Sequence, residues 1–351
     1  MNVRMFLLAL LLMVSPALAQ GFAGLGGDAK GFAVPVRGTT LVFPQDHGAH
    51  PDYRIEWWYL TANLKGADGK DYGAQWTLFR SALAPEEKSG WQSPQLWMGH
   101  AALTTAERHV SAERVARGGV GQAGVSLSPF AASIDDWSMT GRAPAADDAL
   151  SVLSVNASGD GFSYRLDLAA QGPLVLQGDH GYSVKSAQGQ ASYYYSQPSY
   201  DVTGTITVDG KDIAVTGQAW FDHEWSSQPL AKDQTGWDWF SFHFESGEKL
   251  MGFRLRDAGE GFTSATWIAA DGTPEPQPPG ALKVAPVAWK DVKGHRVPVQ
   301  WTVALPGKGL EVSTTPVNAD AWMDTQVSYW EGPVRLQGTH PGQGYVEMTG
   351  Y

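Results

Sequence analysis

Residues 202–220 read Val202-Thr203-Gly204-Thr205-Ile206-Thr207-Val208-Asp209-Gly210-Lys211-Asp212-Ile213-Ala214-Val215-Thr216-Gly217-Gln218-Ala219-Trp220. β-Branched residues crowd both flanks with a period of two. Between them stands Asp-Gly, a dipeptide suited to the tight hairpin turn in which both central residues take positive φ. The stretch therefore predicts two antiparallel strands. The same alternation recurs at 56–64, 71–81, 163–168, 236–244, 250–256, 297–304 and 344–349, with further Asp-Gly turns at 68–69 and 271–272. An all-β chain of antiparallel strands is expected. The best helix candidate is Ala-rich 101–117, and it should be short, since Thr104, Thr105 and Val110 weaken it and Gly118-Gly119 follows.

Residues 1–19 read as a cleaved export signal. Arg4 supplies the positive start, 5–14 the apolar run, and Ala17-Leu18-Ala19 before Gln20 the small-residue cleavage site. The mature chain is then expected in the periplasm or outside the cell, with no transmembrane anchor. Cysteine is absent, which removes disulfides, thiolate catalysis and thiolate metal sites. With 25 Lys+Arg against 36 Asp+Glu, the net charge is −11 and no basic run exists, so nucleic acid and anionic lipid are poor partners. The length exceeds what one hydrophobic core normally serves. Two β-domains are expected, at 30–185 and 192–351, with a seam in the small polar stretch 186–191.

Two aromatic-and-charge segments stand about 160 residues apart: Asp46-His47-Gly48-Ala49-His50-Pro51 leading to Glu56-Trp57-Trp58-Tyr59, and Asp222-His223-Glu224-Trp225 leading to Gly236-Trp237-Asp238-Trp239. Indoles favour burial while carboxylates and imidazoles resist it, so the mixture predicts an aromatic-walled cavity with polar groups inside. An extended 219–225 puts Trp220, Asp222 and Glu224 on one face and Phe221, His223 and Trp225 on the other. In 237–245, Phe240, Phe242 and Phe244 form a core stripe, opposite Trp237, Trp239 and His243. A carboxyl desolvated by indoles keeps its proton to higher pH and can donate it, which makes Asp222, His223 and Glu224 candidates for acid–base catalysis. The competing reading is a hydrogen-bonded brace between domains. Trp57, Trp58, Tyr59, Tyr194, Trp225, Trp237, Trp239 and His243 are the expected ligand-binding residues. Glu56, flanked by indoles, is expected to be buried in an ion pair with Arg80. His47 and His50 lack a recognisable metal-ligand spacing, so no metal is expected, and no cofactor motif is present.

The ordered segments Phe43-Pro44-Gln45-Asp46-His47-Gly48, Glu56-Trp57-Trp58-Tyr59, Gly178-Asp179-His180-Gly181-Tyr182-Ser183, Ala191-Ser192-Tyr193-Tyr194-Tyr195-Ser196, 219–227 and Gly344-Tyr345-Val346-Glu347-Met348-Thr349-Gly350-Tyr351 resemble a known family. It comprises two-domain lipocalin-like proteins related to carotenoid 1,2-hydratase and to the secreted AttH proteins, often labelled secreted hydrolases. The resemblance implies two β-barrel or sandwich domains with a pocket in or between them, and relatives that act on bulky apolar molecules by hydration or cyclisation. It sets His223 and Trp225 on positions of catalytic interest in an Asp-His-Asn-Trp motif, where this chain carries Glu224 in place of Asn. No Gly-x-Ser-x-Gly elbow supports hydrolysis by a nucleophile. Three functions stay open: a cofactor-free hydro-lyase or isomerase acting on a polyene, terpenoid or lipid-like ligand; a carrier of such a hydrophobic molecule serving an ABC-type transporter, as the resemblance suggests; and a Trp-rich carbohydrate binder.

Overall fold

The computed structural model describes residues 25–27, 29–143 and 148–351, so the export signal expected at 1–19 lies outside the described residues. Strands make up 59% of the described residues and helix 3%, which is the fold class that period-two alternation demands. The first sheet is a nearly closed barrel of thirteen strands. Across it run His109–Arg117, Gln95–Thr104, Asp71–Ala82, Ile55–Gly66, Lys211–Ser226, Ala191–Val208, Phe162–Ala170, Val152–Gly159, Trp137–Gly141, Phe130–Ile134 and Ala123–Leu127, with Val175–Leu176 and Tyr182–Val184 beside Ala191–Val208. All neighbours are antiparallel. The second sheet, a half-barrel, runs Pro274–Pro276, Phe262–Ile268, Lys249–Arg256, Gly236–Phe244, Gly342–Thr349, Tyr329–Gly338, Leu310–Pro316, His295–Leu305 and Lys283–Val292.

The hairpin that opened the sequence reading turns at Asp209 (φ 49°) and Gly210 (φ 76°), and its strands are longer than their alternating portions suggest. Lys211–Ser226 pairs with the barrel's first strand, Ile55–Gly66, in the interior of the sheet, so that Glu56 lies opposite Trp225 and Trp58 opposite His223. This moves the domain seam. The stretch expected to link domains forms a tight turn, with Lys185 N–H donating to the Gln190 carbonyl at 2.7 Å. Strands 191–226 then belong to the first sheet, and the chain changes sheet only between Ser226 and Gly236. Small polar residues suit a turn as well as a linker, and pairing across the barrel decides between them.

The helix expected at 101–117 is absent. Its residues form the strands Gln95–Thr104 and His109–Arg117, joined by a turn in which Thr105 N–H meets the Arg108 carbonyl at 2.7 Å. Register explains the alanines, since Ala101 sits opposite fully buried Trp76 and a small residue there leaves room for the indole. Tertiary pairing overrides the helical preference of alanine.

Four apolar clusters are present among the described residues, the smallest being Ala102 with Met323 and Tyr329. Trp58, Trp76, Trp137, Phe221 and Trp225 belong to the barrel core, and Phe240, Phe242, Phe244, Trp301 and Trp330 to the core of the half-barrel. The third cluster, with Tyr59, Tyr194, Trp220, Trp239, Met251 and Tyr345, lies where the two sheets pack together. Full burial of each large side chain there stabilises by roughly 2–3 kcal/mol, so this contact is a core and not a loose domain boundary. Polar bonds pin it: Asn63 Nδ2 donates to the Gly344 carbonyl at 2.9 Å, and His243 Nε2 lies 2.6 Å from the Pro198 carbonyl.

Candidate functional site

Strand alternation sorts the aromatic-and-charge residues into two chambers. From Lys211–Ser226, Phe221 and Trp225 point into the barrel core with His223 between them, while Trp220, Asp222 and Glu224 face the second sheet. The first strand does the same, sending Glu56 and Trp58 inward and Trp57 and Tyr59 outward. The trio Asp222, His223 and Glu224, expected at one cavity, is therefore divided.

Inside the barrel, Glu56 is the hub. Arg80 lies directly across from it, and its Nε donates to Glu56 Oε2 at 2.8 Å, both side chains being fully buried. The same guanidinium donates to Gln95 Oε1 at 2.7 Å and to the carbonyls of His50 and Tyr53 at 2.7 and 2.8 Å. Glu56 Oε1 meets His50 Nδ1 at 2.6 Å and His223 Nε2 at 2.9 Å. His223 Nδ1 lies 3.0 Å from the Tyr195 hydroxyl, which lies 2.7 Å from His47 Nδ1. Trp225 stacks on His50 at 3.9 Å and Trp58 on His223 at 4.6 Å, locking both rings.

Charge in this chamber is settled by pairing. Burial pulls the His50 imidazolium down, but its bonds to Asp46 and Glu56 outweigh that and lift its pKa to about 9. Burial likewise works against the Glu56 carboxylate, yet bonds from His223 and His50 hold it well below the usual range. Burial brings His223 down to about 4, so it is neutral. His50, Glu56 and His223 bring three potential metal-ligand atoms within 4.8 Å of one another. Both oxygens of Glu56 already accept N–H bonds, and the Arg80 cation sits on it, so a divalent ion would have to displace part of a satisfied network. The arrangement is a buried hydrogen-bonded network that ties the first strand to its neighbours on both sides.

The second chamber is a cavity of about 110 Å³ between the two sheets. Trp57, Tyr59, Tyr194, Trp237, Trp239 and Phe253 wall it, and Asp222, Glu224 and Glu347 reach it. Asp222 accepts bonds from Ser196 Oγ (2.5 Å), Trp220 Nε1 (2.7 Å) and Tyr194 OH (2.8 Å), and Trp239 Nε1 donates to that hydroxyl at 3.2 Å. Burial nevertheless dominates over these bonds and raises Asp222 to about 7. Glu347 takes a 2.6 Å bond from Trp237 Nε1. Burial raises it to about 7 as well, with the nearby Asp222 and Glu224 charges adding to the effect. Behind it, Glu331 lies directly across in the register, bonded by the Tyr59 hydroxyl, and burial with the Glu347 charge raises it well above the ordinary range. Glu224 is paired with Lys185 Nζ at 2.7 Å. The cavity thus offers carboxyl groups that titrate near neutrality against apolar walls, the setting in which a carboxylic acid can donate a proton.

Of the expected ligand-binding residues, Trp57, Tyr59, Tyr194, Trp237 and Trp239 meet here. Trp58 and Trp225 do not, since both point into the barrel and stack on histidines. His243 is buried away from the cavity, edge-on to Trp220. Glu347, Glu331 and Lys185 were missed. A lone carboxylate inside the apolar strand 344–349 was the available signal for Glu347; only the register brings Glu331 to it.

The sequence model of the AttH-like family matches residues 34–351. Among solved structures, the AttH protein of Nitrosomonas europaea is 33% identical, covers 91% of this chain and 100% of its own, and superposes with a TM-score of 0.79. Kievitone hydratase from Nectria haematococca shares the fold at 16% identity, over 91% of this chain and 95% of its own, with a TM-score of 0.69. CghA, solved with Sch210972, shares it at 14% identity, over 95% of this chain and 97% of its own, with a TM-score of 0.55. No curated protein matches.

Proposed function

The chain belongs to the AttH-like family, and from that premise we propose that the cavity between the sheets binds the end group of an apolar molecule and acts on it by acid–base chemistry of the hydratase or isomerase type. The carrying observation is the placing of Asp222 and Glu347, both raised to about 7, on an aromatic-walled cavity. A cavity of this size accepts roughly one ring or one branched terminus, since an engineered apolar cavity of about 150 Å³ takes benzene. A longer molecule would have to extend beyond it. In a hydration, one protonated carboxyl gives its proton to an alkene carbon, water adds to the adjacent carbon, and a carboxylate takes the proton that water releases, so the acid is regenerated. In an isomerisation, the second proton leaves from carbon instead. Likeness of fold to a hydratase supports the class without fixing the substrate. The export signal read from the sequence supports a site of action outside the cytoplasm.

The test begins with mass spectrometry of apolar molecules retained by the purified protein. The retained molecule is then incubated in 18O-labelled water with the wild type and with Asp222→Asn. Product carrying labelled oxygen, or an isomer separable by chromatography, should form with the wild type and fall at least tenfold with the variant. Equal retention by both proteins with no product from either removes the acid chemistry and leaves carriage, in which a partner such as an ABC-type transporter would receive the ligand.

A further inference from the structure

The cavity wall already shows what it prefers. Lys185 Nζ stands 4.9 Å from the Tyr194 ring centroid and 4.3 Å from that of Phe253 while pairing with Glu224, so an ammonium group sits on aromatic faces beside a carboxylate. That one cation is committed to one acid. Asp222 and Glu347 also reach the cavity, and Glu331 stands behind Glu347, yet among the described residues none of the three has a lysine, arginine or histidine ion-pair partner. Glu331 is buried and takes hydrogen bonds from the phenols of Tyr59 and Tyr329 and from no cation among the described residues. The indole N–H groups of Trp237 and Trp239 are taken up by Glu347 and by the Tyr194 hydroxyl, so neither indole offers a donor to a ligand.

We infer that the cavity is built for an apolar molecule bearing a positive charge, a hydrophobic ammonium or an equivalent cationic group, seated between the indole and phenol rings with Asp222 and Glu347 as its counter-charges. The inference rests on the binding reading above and names the ligand's chemical class. A quadrupolar ring face attracts a cation most strongly where water is excluded, and buried carboxylates gain most from a cation that arrives with the ligand. Asp222 and Glu347, which burial lets keep their protons while the cavity is empty, release them to become the counter-charges when a cation arrives, whereas a neutral molecule of the same shape would meet the same walls and leave both carboxyls protonated.

Two molecules of one shape separate the terms: 4-hydroxyphenyltrimethylammonium and its neutral carbon isostere 4-tert-butylphenol, both soluble in water. Each is titrated into the full-length processed protein, and binding is read from the indole N–H signals of Trp237 and Trp239 by NMR and from tryptophan fluorescence. The ammonium compound should bind tighter by on the order of tenfold or more. That preference should shrink severalfold in Glu347→Gln, and again in Asp222→Asn if the first variant folds poorly. Equal binding, or tighter binding of the neutral isostere, overturns the charge selectivity while leaving an apolar site intact. A preference that survives unchanged in both folded variants also overturns it. If neither compound shifts the indole signals, the cavity is no ligand site, and both this inference and the reading beneath it fall.

Discussion

Replacing Asp222 with Asn tests the physical premise of the site without any ligand. In the unfolded chain this carboxyl loses its proton near 3.8, whereas in the folded protein burial holds it to about 7. Because the folded pKa lies above the unfolded one, the folded state holds a proton that the unfolded state has released throughout that interval. Wild-type stability must therefore fall as pH rises from about 4 to about 7. At roughly 1.4 kcal/mol per pH unit, the loss is about 4 kcal/mol in all and about 3 kcal/mol between pH 5 and pH 8. Asp222 is only 2% exposed, so solvent screening takes little from this figure. Asparagine does not titrate and can still accept from Ser196, Trp220 or Tyr194. Urea unfolding of both proteins at pH 5, 6, 7 and 8 gives the difference directly, and the common contributions of Glu347 and Glu331 cancel to first order. The variant should gain on the wild type by about 3 kcal/mol over that range. Parallel stability curves would show that Asp222 is ionised in the folded protein at pH 5 and would remove it as a proton donor.

Arg80→Met should cost about 3–5 kcal/mol in urea unfolding, because it strips the cation from buried Glu56 and removes the guanidinium bonds to Gln95 and to the Tyr53 carbonyl. Adding Glu56→Gln should cost less than the sum of the single changes, and strict additivity in the cycle would mean that the pair does not interact. His50, raised to about 9, contributes stability fully below its ordinary 6.5 that is lost as pH rises through about 9, by up to about 3 kcal/mol; His50→Gln should flatten the fall of melting temperature between pH 7 and 10. Gly73→Ala puts a Cβ 2.5 Å from Pro333 Cγ and from the Tyr345 hydroxyl, where the sheets meet, so it should cost about 1–3 kcal/mol and alter the near-ultraviolet circular dichroism of the interface aromatics; unchanged stability would show that the sheets can separate freely there.

The strands were legible because period two is a local signal: 236–244 is read from the sequence and observed with the same limits. The failures were long-range. Alanines at 101, 102 and 112 mimic a helix until Trp76 is seen to lie across from Ala101. The turn at 185–190 mimics a linker until Lys211–Ser226 is seen to pair with Ile55–Gly66. At the site, alternation alone separates His223 from Asp222 and Glu224, but grouping the three by proximity in sequence put them in one cavity. Only the sheet, with different neighbours on its two faces, makes the separation physical. Glu331 and Glu347 become a pair through register, a property of two strands together that neither shows by itself.

The strand Lys211–Ser226 is a shared wall, and the addresses of its residues are set by parity. Substitutions in it can be absorbed one chamber at a time, since a change at Asp222 or Glu224 is felt in the cavity and a change at His223 or Trp225 in the barrel. Loss or gain of a single residue between 219 and 225 is different in kind: unless a bulge takes it up, the shift would send the carboxylates into the barrel against Trp58 and the imidazole and indole into the cavity. Variation along this segment should therefore be confined to residue identity, with length held fixed, while the turn at Asp209-Gly210 and the passage from Ser226 to Gly236 can change length without exchanging the contents of the two rooms.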